Sequence, residues 1–344
     1  MAKSVKLADI AAIVGVSTVT VSKALSDQKG VSEELREKIK QLADEMGYKQ
    51  PSALRKEHTS TTTLNIGVII PEHFLSKYDS FYWNLYQEIT KYTVSQDGFS
   101  ILEVVNSTDE QEKIMPKLVQ ENKVDGLIVL GGMHHDYLTI LQEEGGVPVI
   151  YLDFYDENQQ CDAVITNNFY GAYLMTNYLY KMGHRKIAYV GTLMSTQSIT
   201  DRYLGYLKSV MENGLEFRQD WIIPDRDKKT GMIDEEKLMK LPEDMPTAFV
   251  CNCDLTAGYL IKKLRAAGYR VPDDISVVGF DNFIHPGMCD VAITTYEVDV
   301  IRMVKRVVDL LSRKIRDNSY HSGTSIVEGH MMIKDSVKKY NVSR

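Results

Sequence analysis

The sequence predicts a small all-helical module at the N-terminus, followed by a much larger α/β region built on parallel sheets. Three short stretches with helical periodicity lie within the first sixty residues, and short apolar segments alternate with helical stretches from Leu64 onward. The 344 residues are enough for about two to three domains. With 44% hydrophobic and 25% charged residues, the composition is that of a globular protein and excludes a disordered or collagen-like chain.

The N-terminal module is predicted to contain three helices. The first carries an apolar stripe at the helical spacing i, i+3, i+4 and i+7, formed by Leu7, Ile10, Ala11 and Val14. Gly15 is expected to end this helix, and Ser17 to cap a second helix that runs from Thr18 to about Leu25. A third helix starts near Ser32 and carries a longer stripe of Leu35, Ile39, Leu42 and Met46.

A helix, a tight glycine turn, a second helix and a third packing helix form the arrangement of a helix-turn-helix DNA reader. The second helix must then present short or polar side chains outward, and near its start it carries Thr18, Val19, Thr20, Ser22 and Lys23. The dipole at the N-terminus of that helix also favours a phosphate. The spacing leaves open a three-helix bundle without a DNA-binding role.

The charge of the chain changes sign along its length. The net charge is −7, but residues 1–60 carry a net charge of +2 and the remainder a net charge of −9. The four cysteines have no zinc-site spacing and predict free thiols in a reducing compartment: Cys161, Cys251, Cys253 and Cys289. Because no signal-peptide core and no apolar segment near the ~18 residues of a membrane span occur, we expect a cytoplasmic protein without a membrane partner.

The large region after Leu64 contains seven short apolar segments bounded by glycine, proline or charge. They are LNIGVII, SILEVV, DGLIVLG, VPVIYLD, KIAYVG, TAFVC and ISVVGF. Amphipathic helical stretches lie between them. Apolar strands interleaved with helices predict parallel sheets covered on both faces, and ligands bind such sheets at the carboxyl ends of the strands.

Sequence motifs of enzymes and of cofactor sites are missing from the chain. Neither G-x-G-x-x-G nor G-x-x-x-x-G-K-[ST] occurs, and neither does G-x-S-x-G or H-E-x-x-H. His134 and His135 are adjacent, which favours a surface loop over a metal site. We therefore predict no catalytic residues, no metal and no cofactor.

Four motifs occur together in the N-terminal module: Gly15-Val16-Ser17, Thr20-Val21-Ser22, Val31-Ser32 and Gly47-Tyr48. On these motifs, the segment from Leu7 to Tyr48 resembles the DNA-binding headpiece of the lactose-repressor (LacI/GalR) family. The resemblance covers this segment almost position by position and favours DNA binding over a three-helix bundle without a DNA-binding role.

The resemblance assigns roles to individual residues of the second helix. It implies that Thr18 and Val19 contact base edges in the major groove, and that Lys23 contacts guanine where the family most often has arginine. Lysine cannot form the bidentate hydrogen bonds of an arginine guanidinium, so we expect weaker discrimination between bases at this position. The remaining matched positions hold phosphate or support the helix: Ser17, Thr20 and Ser22.

Residues 50–63 are predicted to link the headpiece, residues 1–49, to the core, residues 64–344. In the resembled family this stretch forms a hinge helix on DNA and inserts a leucine into the minor groove. An ungapped alignment places Glu57 at the leucine position, so Leu54 fills the role only with a three-residue shift. A flexible linker is the alternative.

The core contains three further motifs: VPDDISVVGFD at 271–281, MGHRKIAYVG at 182–191, and Arg202 three residues before Gly205. They resemble the effector-binding core of the same family, which is itself similar to periplasmic sugar-binding proteins. The resemblance implies two doubly wound α/β subdomains with a cleft between them. It also implies that the chain crosses between the subdomains three times.

The matched cleft positions predict an effector site. Asp153, Arg202 and Asp281 fall at positions that hydrogen-bond the effector, and their chemistry fits a polyol or similar sugar-like molecule. Phe81 and Tyr82 match a site of aromatic contact with the effector. The alternatives are a strand-end cap for Asp281, a structural ion pair for Arg202, a solvated carboxylate for Asp153 and core packing for Phe81.

One position departs from the family pattern. Cys253 precedes Asp254 where the family often has Asn-Asp, so Cys253 takes an effector-binding position without its amide. Asn252 lies one residue earlier and is expected to face the wrong way. The departure argues against a simple hexose.

These expectations indicate a sequence-specific transcriptional regulator, a homodimeric repressor controlled by a small effector in the cleft. Its DNA partner is a pseudo-palindromic operator in duplex DNA, because one headpiece reads only a few base pairs and a two-fold dimer multiplies its specificity. A sugar-binding transport protein would share the core fold but leaves the headpiece unexplained. An enzyme acting on a small polyol would need catalytic residues that the sequence does not show.

Overall fold

A computed structural model of the chain describes residues 7–25, 30–46, 48, 63–75, 80–156, 161–228, 231–234, 236–283, 287 and 289–340. Leu54 and nearly all of the linker, as well as Gly47, lie outside the described residues. Among the helices that are described, none combines the length and the apolar character needed to cross a bilayer.

The three predicted headpiece helices are confirmed as α1 (Leu7–Val14), α2 (Thr18–Leu25) and α3 (Glu33–Glu45). Gly15 makes the tight turn after α1 with φ +79°, a left-handed conformation that a residue without a Cβ adopts at little cost. The three helices enclose a small core of buried side chains: Ile10, Ala11, Val21, Ala24, Ile39 and Ala43.

The described residues after the headpiece form two six-stranded sheets, whose strands are numbered along the chain. The first sheet has the spatial order β2-β1-β3-β4-β5-β11, and all of its neighbours are parallel. Its strands are β1 (Asn65–Pro71), β2 (Phe99–Val105), β3 (Gly126–Leu130), β4 (Val149–Leu152), β5 (Asp162–Thr166) and β11 (Thr324–Val327).

The second sheet repeats this order as β7-β6-β8-β9-β10-β12, and only β12 runs antiparallel to its neighbour. Its strands are β6 (Ile187–Val190), β7 (Ile222–Ile223), β8 (Ala248–Cys251), β9 (Ser276–Asp281), β10 (Thr294–Glu297) and β12 (His330–Met332). Both sheets are doubly wound, which confirms the predicted fold class.

Helices cover both sheets. They are α4 (Phe81–Ser95), α5 (Ser107–Gln111), α6 (Lys117–Gln120), α7 (His135–Glu144), α8 (Asn168–Lys181), α9 (Gln197–Glu212), α10 (Asp254–Ala266) and α11 (Val300–Arg316). α11 packs on β3, β4 and β5, whereas α8 packs on the second sheet and along α9. Gly205 allows this close approach of α8 and α9, because a Cβ there would collide with the carbonyl oxygen of Phe169.

The chain passes between the sheets three times, from β5 to α8, from β10 to α11 and from β11 to β12. We call the first sheet with α4–α7 and α11 the first half, and the second sheet with α8–α10 the second half. Parallel strands end at the same edge of each sheet, so Asp153 after β4 and Asn252 after β8 mark the two ligand-binding edges.

Candidate DNA-binding and effector sites

The second headpiece helix presents the predicted DNA-binding residues. Ser17 caps α2, because its Oγ accepts a hydrogen bond from the amide of Thr20 at 3.1 Å. Val21 and Ala24 face the headpiece core. The predicted contact residues are all exposed or half-exposed: Ser17, Thr18, Val19, Thr20, Ser22 and Lys23. This arrangement suits insertion of α2 into a major groove.

A cavity of about 720 Å³ lies between the two halves of the core. The first half contributes His73, Phe74, Tyr82, Glu110, His134, His135 and Asp153 to its wall, and the second half contributes Ser195, Gln197, Thr200, Asp201, Arg226 and Lys228. His135 begins α7 rather than lying in the surface loop that the sequence predicted. The mixture of carboxylates, cations and aromatic rings suits a small polar ligand.

Two of the predicted effector-binding residues, Tyr82 and Asp153, line this cavity, and their contact with an effector stays a prediction. Ser80 caps α4 and thereby fixes the first turn of the helix that carries Tyr82. The Tyr82 hydroxyl donates to Oδ2 of Asp153 at 3.0 Å. Burial raises the pKa of Asp153 to about 6, although Arg202 and the Tyr82 hydrogen bond oppose the shift. The carboxylate is therefore mostly ionised at neutral pH and able to accept from a ligand hydroxyl.

Arg202 is buried and does not form part of the cavity wall. Its Nε donates to Oδ1 of Asn168 at 2.8 Å, and its Nη1 donates to the carbonyl oxygen of Asn252 at 2.6 Å. The guanidinium also lies 3.8 Å from the ring centroid of Phe280. These two hydrogen-bond partners are neutral, and an effector contact by Arg202 stays a prediction.

Phe81, Cys253 and Asp281 also lie outside the cavity wall. Phe81 meets Phe283 of the second half edge to face, with centroids 6.4 Å apart. The Cys253 thiol caps α10, since its Sγ lies 3.5 Å from the amide of Thr256. Asp281 accepts from the amide of Phe283 at 2.9 Å, as a strand-end cap does. Their effector contacts stay predictions, because the present conformation uses these groups for packing and capping.

Sequence reasoning missed Arg226, which brings a guanidinium to the cavity wall. Its Nη2 lies 2.8 Å from Oδ2 of the fully buried Asp225 and 3.0 Å from Oδ1 of Asn252. Asn252 itself is 1% exposed, which agrees with the expectation that its amide faces away from the ligand. A charged pair directly after the apolar segment WIIP was the signal available in the sequence.

Two neighbouring carboxyls titrate abnormally at the edge of the second sheet. Burial raises the pKa of Asp281 to about 7. Burial and the charge of Asp281 also raise the pKa of Asp254, although Thr295 and Lys334 oppose the shift. Ionising this pair inside the protein is therefore unfavourable.

We expect Asp281→Asn to gain stability relative to the natural chain as pH rises from 5 to 8, by about 2 kcal/mol. The folded protein keeps a proton on Asp281 that the unfolded chain releases near pH 4, so stability falls as pH rises between 4 and 7. Urea unfolding at both pH values measures the effect. Asp290→Asn is the control, because its carboxyl is exposed and Arg265 lowers its pKa; equal pH slopes for all three proteins would contradict the prediction.

Two family models match the chain. Residues 6–51 match the model described as bacterial regulatory proteins, lacI family. Residues 176–337 match the periplasmic binding protein-like domain. The two matches cover the helix-turn-helix and most of the second half.

Curated relatives match over nearly the whole length. The HTH-type transcriptional repressor PurR of Vibrio vulnificus is 27% identical over 335 residues, which is 97% of this chain and 98% of the relative. PurR of Mannheimia succiniciproducens is also 27% identical, over 96% of this chain and 98% of its own.

Solved structures share the fold. The lac repressor dimer bound to operator and the anti-inducer ONPF aligns with a TM-score of 0.64 at 21% identity, over 98% of this chain and 100% of its own. The CelR–cellobiose complex aligns with a TM-score of 0.66 at 20% identity, over 96% and 99%. A LacI family regulator from Enterococcus faecium with bound ribose aligns with a TM-score of 0.65 at 22% identity, over 80% and 100%. The helix-turn-helix headpiece thus matches the lacI family of bacterial regulatory proteins, and it is followed by a core that matches the periplasmic binding protein-like domain.

Proposed function

We propose that this protein is a homodimeric transcriptional repressor that binds a pseudo-palindromic operator and responds to a small polar effector. The observation that carries the proposal is the outward face of α2, where short and polar side chains surround Lys23 on a capped helix. Its curated relatives are named as transcriptional repressors. Such a protein acts where chromosomal DNA is, in the cytoplasm.

The cavity between the halves is the proposed effector site. Asp153 accepts from ligand hydroxyls, and Arg226 and Lys228 donate from the opposite wall. A sugar or sugar derivative fits these groups, and two of the structural neighbours hold cellobiose and ribose. The polar contacts come from both halves, so an effector that prefers one arrangement of the halves changes their relative population. No enzymatic activity is proposed.

Selection of genomic DNA fragments by the purified full-length protein, at a fixed salt concentration, tests this function. We expect recovery of one pseudo-palindromic sequence, and the neighbouring genes would narrow the effector class. Recovery of only weak, salt-sensitive and sequence-independent binding, both without ligands and with a panel of sugars, would contradict the proposal.

We expect Lys23→Ala to lower affinity for the recovered sequence by about tenfold and to relax specificity at one position of each half-site, because a base contact is lost. Lys38→Ala is the matched control, since it removes the same charge from an exposed site on α3. Fluorescence anisotropy with matched and single-substituted operators measures both effects. Equal losses for the two variants would assign Lys23 to general electrostatics instead.

A further inference from the structure

Hydrogen bonds from the backbone amide and the side-chain hydroxyl of Tyr155 join the two halves at the edge of the cavity. Tyr155 belongs to the first half and follows β4, whereas Gln197 and Asp201 lie in the first turns of α9 in the second half. The amide of Tyr155 donates to Oε1 of Gln197 at 2.9 Å. The Tyr155 hydroxyl lies 3.1 Å and 3.2 Å from Oδ1 and Oδ2 of Asp201. Tyr155 thus contacts the second half through both its backbone and its side chain.

The contact between Tyr155 and Asp201 lies between two cavities. Tyr155 and Asp201 line the large cavity between the halves, and both also line a second cavity of about 360 Å³. The second cavity includes the first chain crossing, residues 166–169. The pair therefore forms the wall between the proposed effector site and a segment that must bend when the halves move.

The contact continues into the second half through the next residue of α9. Arg202 follows Asp201, and its side chain holds Asn168 at the start of α8 and the backbone after β8. Arg202 therefore anchors α9 at two further points, so a movement of Tyr155 relative to Asp201 acts on a helix that is already held in place. Because the contact joins the two halves, it breaks when they move apart at this edge, so it can distinguish between two arrangements of the halves.

The tyrosine of this pair keeps the proton that it donates. Burial and the nearby Asp201 raise the pKa of Tyr155, so its hydroxyl stays a donor at neutral pH. Burial raises the pKa of Asp201, while the Tyr155 hydrogen bond and Arg202 oppose that shift. A tyrosine that donates to a carboxylate forms a charge-assisted hydrogen bond, which is stronger than a neutral one.

We propose that Tyr155, Gln197 and Asp201 form a latch that holds the two halves in the arrangement described here and so influences DNA binding. The effect on DNA binding rests on the proposed function, whereas the contact between the halves does not. Breaking the latch shifts the population towards arrangements without this contact, by the free energy of the lost hydrogen bonds. Tyr155 acts here as a positioning residue, and its role is distinct from a direct effector contact.

Hydrogen exchange of the full-length protein tests the latch without DNA or effector. The Tyr155 amide exchanges only when its bond to Gln197 opens, so its rate reports the open population. We expect Tyr155→Phe and Asp201→Ala each to speed exchange of the 153–156 segment about tenfold, because the first removes the donor and the second the acceptor. The double variant should add little to either single variant, because both remove the same contact.

Tyr173→Phe is the matched control. The Tyr173 hydroxyl donates to Oε2 of Glu212 at 2.7 Å, but both residues lie in the second half. Its substitution removes the same kind of bond and should leave exchange of the 153–156 segment unchanged. Unchanged exchange in Asp201→Ala, or additive effects in the double variant, would overturn the latch.

The regulatory consequence has a separate readout. On the operator recovered by selection, Tyr155→Phe should change the effector-free dissociation constant at least threefold, and Tyr173→Phe should not. A faster-exchanging variant with an unchanged dissociation constant would retain the latch and overturn its control of DNA binding. Failure of the natural protein to bind any specific DNA would contradict the proposed function and leave the exchange result standing.

Discussion

Replacing Asp225 by alanine is expected to lower the free energy of unfolding of the second half by about 3–5 kcal/mol. Asp225 is fully buried and accepts hydrogen bonds from Asn252 at 2.7 Å, Thr256 at 2.6 Å and the amide of Thr192 at 2.9 Å. It also pairs with Arg226, whose side chain is only 15% exposed. The substitution leaves three donors and a nearly buried positive charge without their acceptor, which costs more than the pair itself contributes.

The same contacts fix the direction of a pH dependence. Burial alone would raise the pKa of Asp225, but the charge of Arg226 and the hydrogen bonds from Thr256 and Asn252 lower it to about 2. A carboxyl with a lowered folded-state pKa contributes stability above pH 4 that is lost as pH falls towards 2. We expect Asp225→Ala to lose this acid-dependent contribution, which has the opposite sign to that of Asp281.

Urea unfolding of the natural chain and the variant at pH 7 and pH 3 measures both effects. Asp220→Ala is the matched control, because Asp220 pairs with Arg218 in the same half but is half-exposed. Exposed ion pairs contribute about 0–1 kcal/mol, so the control should stay close to the natural chain. If the two alanine variants unfold at the same urea concentration, the Asp225 network is not a stabilising element.

The hydrogen-bond network around Asp225 could not be predicted from the sequence. Asp225 and Arg226 meet Asn252 and Thr256 only because β8 ends beside the loop after β7. No local periodicity encodes that meeting, since it depends on the order of strands in the second sheet. Tyr82 and Asp153 were accessible to sequence reasoning because the family resemblance supplied their positions, and both line the cavity. Tyr155 carried no such match.

The fold was more accessible than the site. All seven apolar segments form strands. Six of them are buried on both faces and are therefore continuously apolar, whereas the edge strand β2 is only partly buried. Five further strands escaped the sequence analysis: β5, β7, β10, β11 and β12. β7 has two residues, and β10 buries Thr294 and Thr295, so neither has an apolar pattern to detect. Their pairing comes from neighbouring strands rather than from their own composition.

Replacing Ile10 by alanine is expected to abolish operator binding, with a loss of at least about 100-fold in affinity. Ile10 is completely buried, with 0% of its surface exposed. Three of the six buried headpiece side chains are alanines, so Ile10 supplies much of the apolar volume of this small core. A buried isoleucine-to-alanine change costs about 2–5 kcal/mol. A small helical domain has about 3–5 kcal/mol of stability, so the headpiece should unfold while the much larger core does not.

The separation between the two domains makes this prediction testable in the full-length protein. The urea transition of the core should be unchanged, while the helical circular dichroism of the headpiece and the affinity for the selected operator are lost. Ile13→Ala is the matched control on the same helix, since Ile13 is 60% exposed and its truncation should change affinity by about twofold at most. Equal affinity in the two variants would mean that the headpiece core does not hold α2 in its DNA-binding position. Loss of the core transition in Ile10→Ala would instead show that the headpiece and the core unfold as one unit.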